Sequence, residues 1–306
     1  MIRYFLHRFL LTLPALWLVL TLVFLLIHIV PGDPVEQMLG EGAAPGQVTE
    51  LRHSLGLDQP ILVQYGHYLA GIFRGDFGQS LKFQAPVRGV IFERYPATLQ
   101  LAFLALLVSA GIAIPAGVIA AHRRGSASDR AIGVFTLFGL AVPNFALGPL
   151  LIALFSIYLG WLPVSGRGGA LHYILPAATL GAALAAILTR MVRGAMLEEL
   201  SSDYVRTARA KGLSEFAVLV RHALRNALIP IITILGLQFG TLLAGTIVTE
   251  TIFSWPGLGR LTVQAISSRD YPLLQGCILV IALSYVLVNL LTDLLYAFID
   301  PRVRLS

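Results

Sequence analysis

The chain has 306 residues, of which 57% are hydrophobic and only 12% are charged, and its net charge is +6 at neutral pH. Soluble globular proteins carry about 25% charged residues, so this composition excludes an ordinary soluble domain. The apolar residues are grouped in runs long enough to cross a hydrocarbon layer of about 30 Å, which predicts an all-α polytopic membrane protein in a lipid bilayer. The positive charge is therefore expected in loops beside the membrane, and no nucleic-acid partner is expected.

Residues 1–30 are predicted to form a cytoplasmic end and the first transmembrane helix, because basic residues precede a long apolar run. Residues 31–96 then form the longest polar segment, which lies outside if the first helix runs outward. Two short helices are expected in this segment, near 45–55 and 60–73, where apolar positions recur at helical spacing. From this periodicity alone, the segment is either a small external subdomain or a spacer. The basic residues before the first helix are Arg3, His7 and Arg8.

Five further apolar runs lie within residues 97–298 and bring the predicted number of transmembrane helices to six. An external, turn-rich segment is expected at 254–272, before the last run, and residues 299–306 form a polar tail. Both ends of the chain fall on the side that carries the basic short loops, so the positive-inside rule places both termini in the cytoplasm. The five runs are predicted at about 98–121, 131–159, 173–191, 230–253 and 273–298.

The loop at 193–229, between the fourth and fifth runs, carries charges that cannot span a bilayer. Each Arg, Lys or Asp at the bilayer centre costs roughly 2.5 to 3.5 kcal/mol. Ser201, Ser202 and Asp203 can cap a helix at 204–211, and Gly212 can adopt the left-handed conformation that ends one. Ser214 can cap a second helix, which is expected to run from about 215 to 227 and to end before Pro230.

The string DYVRTARAKGL at 203–213, followed by RHALRNALIP at 221–230, resembles the cytoplasmic loop of ABC importer permeases. The resemblance is closest to the dipeptide, oligopeptide and nickel permeases. The general family loop reads Glu-Ala-Ala, three residues, Gly; Ala208 and Gly212 match it, whereas Arg206 and Thr207 stand at the Glu and first Ala positions. The resemblance covers nearly the whole chain, since SLGLDQP, GDFGQS, ERYPATLQL and ETIFSWPGLGRL also look like the family's strings.

The resemblance implies a permease subunit of the bacterial inner membrane that imports dipeptides or oligopeptides, with nickel or another small solute as the alternative. It also implies a second permease subunit, an external substrate-binding protein, and one or two cytoplasmic ATPases that carry the ATP and Mg²⁺. The external segment would lie beside the substrate entrance, and the helix at 204–211 would dock on an ATPase. The residues expected to couple the chain to that ATPase are Tyr204, Arg206, Thr207, Ala208, Arg209, Lys211 and Gly212.

Polar side chains inside apolar runs are expensive in lipid, so three of them are candidates for a substrate path: Asn144, Gln238 and Glu250. For Glu250 the alternative is an interfacial hydrogen bond, and for Asn144 it is compensation for the backbone groups that a proline frees.

Small residues recur every four positions in the fifth run and form a stripe that permits close helix packing, either within the chain or with a second permease. The stripe consists of Gly236, Gly240 and Ala244.

No sequence motif predicts catalysis by this chain. Its only lysines, Lys82 and Lys211, lack the glycine-rich context of a nucleotide-binding loop, and no zinc-binding or nucleophile motif is present. The single cysteine, Cys277, excludes an internal disulfide. We therefore expect no catalytic residue, metal or cofactor in this chain. Two rival hypotheses are a secondary transporter that works alone, for which Asp293 is a weak candidate, and a non-transporting scaffold.

Overall fold

The computed structural model describes residues 2–29, 33–40 and 44–299, and it describes side chains only between residues 10 and 295 of these ranges. Five of the described helices are long and apolar enough to cross a membrane, and a bent helix pair makes a sixth candidate span. This confirms the predicted all-α polytopic fold, whose helices satisfy the backbone hydrogen bonds that lipid cannot. The predictions for residues 31 and 32, for the tail from 300 onward and for the Arg3, His7 and Arg8 side chains concern parts of the chain that the structure does not describe.

The first span, α1, is followed by three short helices and a two-residue β-hairpin. The two helices predicted near 45–55 and 60–73 are confirmed, whereas the hairpin was not predicted. These elements are α1 (Ile2–Ile29), α2 (Pro34–Leu39), α3 (Pro45–Ser54), α4 (Ile61–Arg74), β1 (Gln79–Ser80) and β2 (Ala85–Pro86).

The longest helices, α5 (Val87–His122) and α8 (Ile174–Leu200), pack on each other along most of their length. A Cβ atom on Gly117 of α5 would lie 2.6 Å from Val192, so the helices approach each other as closely as only glycine allows. Both helices are longer than predicted. The sequence placed the start of α5 at about residue 98 and the end of α8 at about 191, but charged residues continue the helices beyond the apolar runs.

The third predicted span, 131–159, is not one helix. It consists of α6 (Ala127–Ala141) and α7 (Asn144–Leu151), and the latter continues as a π-helix over Ile152–Tyr158. The two halves are bent by 102°. Pro143 explains the break, because a residue that precedes a proline is disfavoured in helical geometry, and Val142 is extended at φ −86° and ψ 114°.

The charged loop contains α9 (Asp203–Ala210) and then α10 (Glu215–Ala217). A π-helix at Val218–Ala223 joins α10 to α11 (Leu224–Gly245), so the helical path is continuous over Glu215–Gly245. The prediction that the second loop helix ends before Pro230 is therefore wrong. In lipid, ending a helix leaves more backbone groups unsatisfied than the one hydrogen bond that a proline removes.

The chain closes with α12 (Ile247–Ile252), α13 (Leu258–Ser267) and the last span, α14 (Tyr271–Ile299). The segment predicted to be turn-rich at 254–272 thus contains the helix α13. Its apolar face is buried against α5 and α14, in a cluster that includes Leu258, Leu261 and Cys277.

Candidate functional site

Helix α9 is fixed to the body of the chain by one apolar face. Val205 and Ala208 are buried in the core cluster that also contains the end of α8, through Met196, and the π-helix, through Val218 and Leu219. The other face of α9 is exposed. Ala208, which the sequence placed among the coupling residues, therefore faces the chain's own core and cannot contact a partner in this conformation.

A left-handed glycine ends α9, as predicted. Gly212 has a φ of +77°, and its N–H donates to the Arg209 carbonyl at 3.0 Å. The Ser214 hydroxyl then accepts a hydrogen bond from the Ala217 N–H at 3.4 Å, which confirms the predicted cap of the next helix. The chain therefore reverses sharply between α9 and α10.

A series of charged side chains links α9 to the end of α5 and to the start of the helical path that leads into α11. The Arg209 guanidinium donates to both carboxylate oxygens of Glu215, at 3.2 and 2.7 Å, and this interaction raises the pKa of Arg209. Glu215 also lies 3.6 Å from the Nδ1 atom of His122, the last residue of α5. A displacement of α9 can thus reach α5 through Glu215 and α11 through the continuous helix.

Tyr204 is held by the end of α8. Its hydroxyl donates to the Glu199 carboxylate, and partial burial, together with that carboxylate, raises the pKa of Tyr204. The ring remains partly exposed beside Arg206 and Thr207. Sequence reasoning missed Glu199, Glu215 and His122 because their roles depend on contacts between different helices.

The exposed surface of this segment combines positive charge with apolar area. Phe216 is 74% exposed, and Leu213 is also largely uncovered. Phe216 was not predicted, although an apolar residue two positions after a helix cap, within a charged loop, is a visible signal. We call this surface the coupling surface; it consists of Tyr204, Arg206, Thr207, Lys211, Leu213 and Phe216.

The three predicted substrate-path residues lie in different places. The side-chain oxygens of Asn144 and Gln238 are buried and lack a hydrogen-bond partner within the described chain. Buried acceptors are usually paired, so both positions fit contact with a group from outside this chain. Neither lines the cavity of about 670 Å³ that lies between α1, α4 and α14.

Glu250 has a full set of partners within the chain. Its carboxyl group is completely buried and accepts hydrogen bonds from the Thr98 hydroxyl at 2.7 Å, the Thr246 hydroxyl at 3.2 Å and the Arg260 N–H at 3.0 Å. The predicted alternative to a substrate contact was an interfacial hydrogen bond; the structure instead shows Glu250 as the centre of a buried set of hydrogen bonds within the chain. This centre connects α5, α12 and the start of α13.

The small-residue stripe is divided between two environments. A Cβ atom on Gly236 would lie 2.3 Å from the Thr292 hydroxyl of α14, and one on Gly240 would lie 3.2 Å from the Asn289 side chain. These two glycines therefore serve packing within the chain, while Ala244 is exposed.

Comparison with protein families gives two matches that together cover nearly the whole chain. Residues 113–305 match the family described as binding-protein-dependent transport system inner membrane component, and residues 1–102 match the N-terminal family of the same membrane components.

Curated relatives match over almost their full length. The chain is 47% identical over 305 residues to the glutathione transport system permease protein GsiC of Escherichia coli K12, covering 99% of both chains. It is 45% identical over 304 residues to the GsiC protein of Salmonella choleraesuis, again over 99% of both.

Solved structures share the fold. Two inward-facing crystal forms of the MetNI methionine ABC transporter match with TM-scores of 0.59 and 0.60 at 18% and 16% identity. Each match covers 69% of this chain and 96% of the other, so the shared part is a core smaller than the whole chain.

Proposed function

Because this chain belongs to the family of binding-protein-dependent transport system inner membrane components, it is a multi-pass permease subunit of an ABC importer, and we propose that its cargo is a short peptide. The permeases that it resembles at 47% identity are named for glutathione, which is itself a peptide. The chain would form the translocation path with a second permease subunit and receive its cargo from an external binding protein.

ATP and Mg²⁺ would be bound by separate ATPase subunits that dock on the coupling surface. The single observation that supports this docking is the two-sided nature of α9, which is anchored by Val205 and Ala208 and uncovered on its cationic side. In this arrangement the side of the helix bundle that carries α9 faces the cytoplasm, as would both termini.

The mechanical step follows from the contacts of α9. When the ATPases close on ATP, they move α9, and the Arg209–Glu215–His122 contacts pass the displacement to α5. The continuous helix Glu215–Gly245 passes it to α14, on which it packs through Gly236. Three spans, α5, α11 and α14, are therefore moved from one docking point.

Uptake into vesicles tests the proposed cargo. The complex is purified with its partner subunits, reconstituted with ATP enclosed on the ATPase side, and supplied with its binding protein and labelled glutathione or a dipeptide. We expect uptake that stops when the ATP is replaced by a non-hydrolysable analogue. ATP-dependent uptake of nickel but of neither peptide would contradict the peptide assignment and leave the importer assignment intact.

A further inference from the structure

Helix α4 belongs to the segment that the sequence placed outside the membrane, yet its composition does not suit a surface in water. Residues 61–73 contain no Asp, Glu, Lys or Arg, and Arg74 is the last residue of the helix. Leu62 is 81% exposed and Phe73 is 84% exposed, and Ile61 and Val63 are also uncovered. Contiguous exposed apolar area of this kind marks a surface that another apolar phase covers.

The contacts of α4 place it at the depth of the first span. The Tyr65 hydroxyl lies 2.8 Å from the Thr21 hydroxyl of α1, and the Tyr65 and Tyr68 rings pack on Phe24 at centroid distances of 5.1 and 5.6 Å. Thr21 precedes Ile29, the end of α1, by eight residues. At 1.5 Å per residue this is about 12 Å along the helix.

That part of α1 lies inside the apolar window Leu10–Ile29, which by length and composition crosses the membrane. The neighbouring side chains Trp17, Leu18 and Leu22 of α1 are more than half exposed, and in a multi-pass protein they face lipid. The uncovered side of α4 adjoins this lipid-facing surface through the Tyr65–Thr21 contact.

We propose that α4 is an interfacial helix whose Leu62 and Phe73 side chains are embedded in the acyl region of the outer leaflet. Interfacial helices bury their apolar face by about 5–10 Å at the boundary between headgroups and acyl chains, which is slightly less than the distance of about 12 Å between Thr21 and the end of α1. The start of α4 is held beside the outer end of α1, because the Gln64 amide oxygen lies 3.0 Å from the Nε2 atom of the exposed His28.

A cavity of about 670 Å³ beside α4 has a mixed lining. Phe24, Ile27 and Leu279 line it together with polar side chains, which include Asp58, Asp76, His53, His67 and Gln275. The membrane contact of α4 is therefore made by its uncovered side and not through this cavity. The external subdomain is thus attached to the membrane along one side.

The rates at which a spin label collides with oxygen, which is concentrated in lipid, and with a water-soluble nickel complex show whether α4 lies in lipid or in water. Leu62→Cys and Phe73→Cys are labelled with a nitroxide in the full complex, reconstituted in phosphatidylethanolamine and phosphatidylglycerol vesicles. The native Cys277 is completely buried and should not label in the folded chain. Leu18→Cys on α1 is the control for lipid, and Glu50→Cys, exposed on α3, is the control for water.

We expect the ratio of oxygen to nickel collisions at residues 62 and 73 to lie between those at residues 18 and 50 and to exceed that at residue 50 severalfold, because residue 18 lies deeper in the membrane. A ratio equal to that at residue 50 would overturn the proposal and place α4 in water. Low collision rates with both reagents would also overturn it, since they would show that a second permease or a binding protein covers α4.

Discussion

Replacing Gly212 with valine is expected to abolish uptake while ATP hydrolysis by the complex continues. Gly212 has a φ of +77°, and a left-handed residue with a Cβ atom costs about 1–2 kcal/mol, with β-branched residues the least tolerated. A valine would relax to a negative φ and redirect the chain, which would separate Arg209 from Glu215. The ratio of peptide imported to ATP hydrolysed, measured in vesicles, should fall toward zero because the redirected chain displaces α10; the Arg209–Glu215 pair, about two-fifths exposed, itself contributes only about 0.2–1 kcal/mol.

Two variants separate this effect from a general loss of folding. Gly212→Asn should retain coupling, because asparagine tolerates the left-handed conformation. Gly125→Val carries the same strain in another loop, at a φ of +79° and with open space around its Cβ position, and it should leave the ratio unchanged. Normal uptake by the Gly212→Val complex would show that coupling does not pass through this joint.

Removing the Glu250 side chain is expected to unfold the outer end of the permease core. Glu250→Ala leaves the Thr98 and Thr246 hydroxyls and the Arg260 N–H buried without their acceptor. Each unsatisfied buried group costs about 1–3 kcal/mol, so the total loss of stability should be about 3 kcal/mol or more. Glu250→Gln retains one acceptor oxygen and should lose less.

Gly257→Ala offers an independent test of the same centre. A Cβ atom there would lie 2.3–2.5 Å from the Glu250 carboxyl atoms, although the backbone at φ −104° would accept alanine.

The buried thiol of Cys277 reports on the stability of both variants. It packs against Leu258 and Leu261, so it reacts with a maleimide dye only when this cluster opens. Heating in detergent should expose Cys277 at a lower temperature in Glu250→Ala and Gly257→Ala. Equal midpoints for these variants and the surface control Glu50→Ala would contradict the assignment.

Local signals in the sequence predicted local structure well. Gly212 and Ser214 were assigned correctly because a left-handed C-cap and a serine N-cap depend on a few neighbouring residues. The six apolar runs likewise predicted the spans, since lipid requires helices. Pro143 and Pro230 show the limit of such signals: the first breaks its helix and the second does not, although each follows an apolar residue within an apolar run.

The site depended more on tertiary contacts. Thr98 and Glu250 are 152 positions apart in the chain, so their hydrogen bond could not be predicted from the local sequence around either residue. The inward orientation of Ala208 and the outward orientation of Phe216 also required the packing of α9 on its neighbours. The resemblance to the family's loop therefore pointed to residues 203–213, and the structure divides this segment into a face packed on the chain's own core and an exposed face.

Cross-linking from the coupling surface tests the central claim most directly. The chain carries a C-terminal tag and either Arg206→Cys or, as a control elsewhere, Arg167→Cys; both positions are exposed. The complex is extracted gently from its native membrane and treated with a short thiol-to-amine cross-linker. The co-purified proteins and the cross-linked partner are then identified by mass spectrometry. We predict that a second permease and the ATPase co-purify, and that the ATPase is cross-linked from position 206 and not from position 167. Recovery of the chain alone, with uptake driven by a proton gradient in vesicles that lack ATP, would contradict this account and support a secondary transporter.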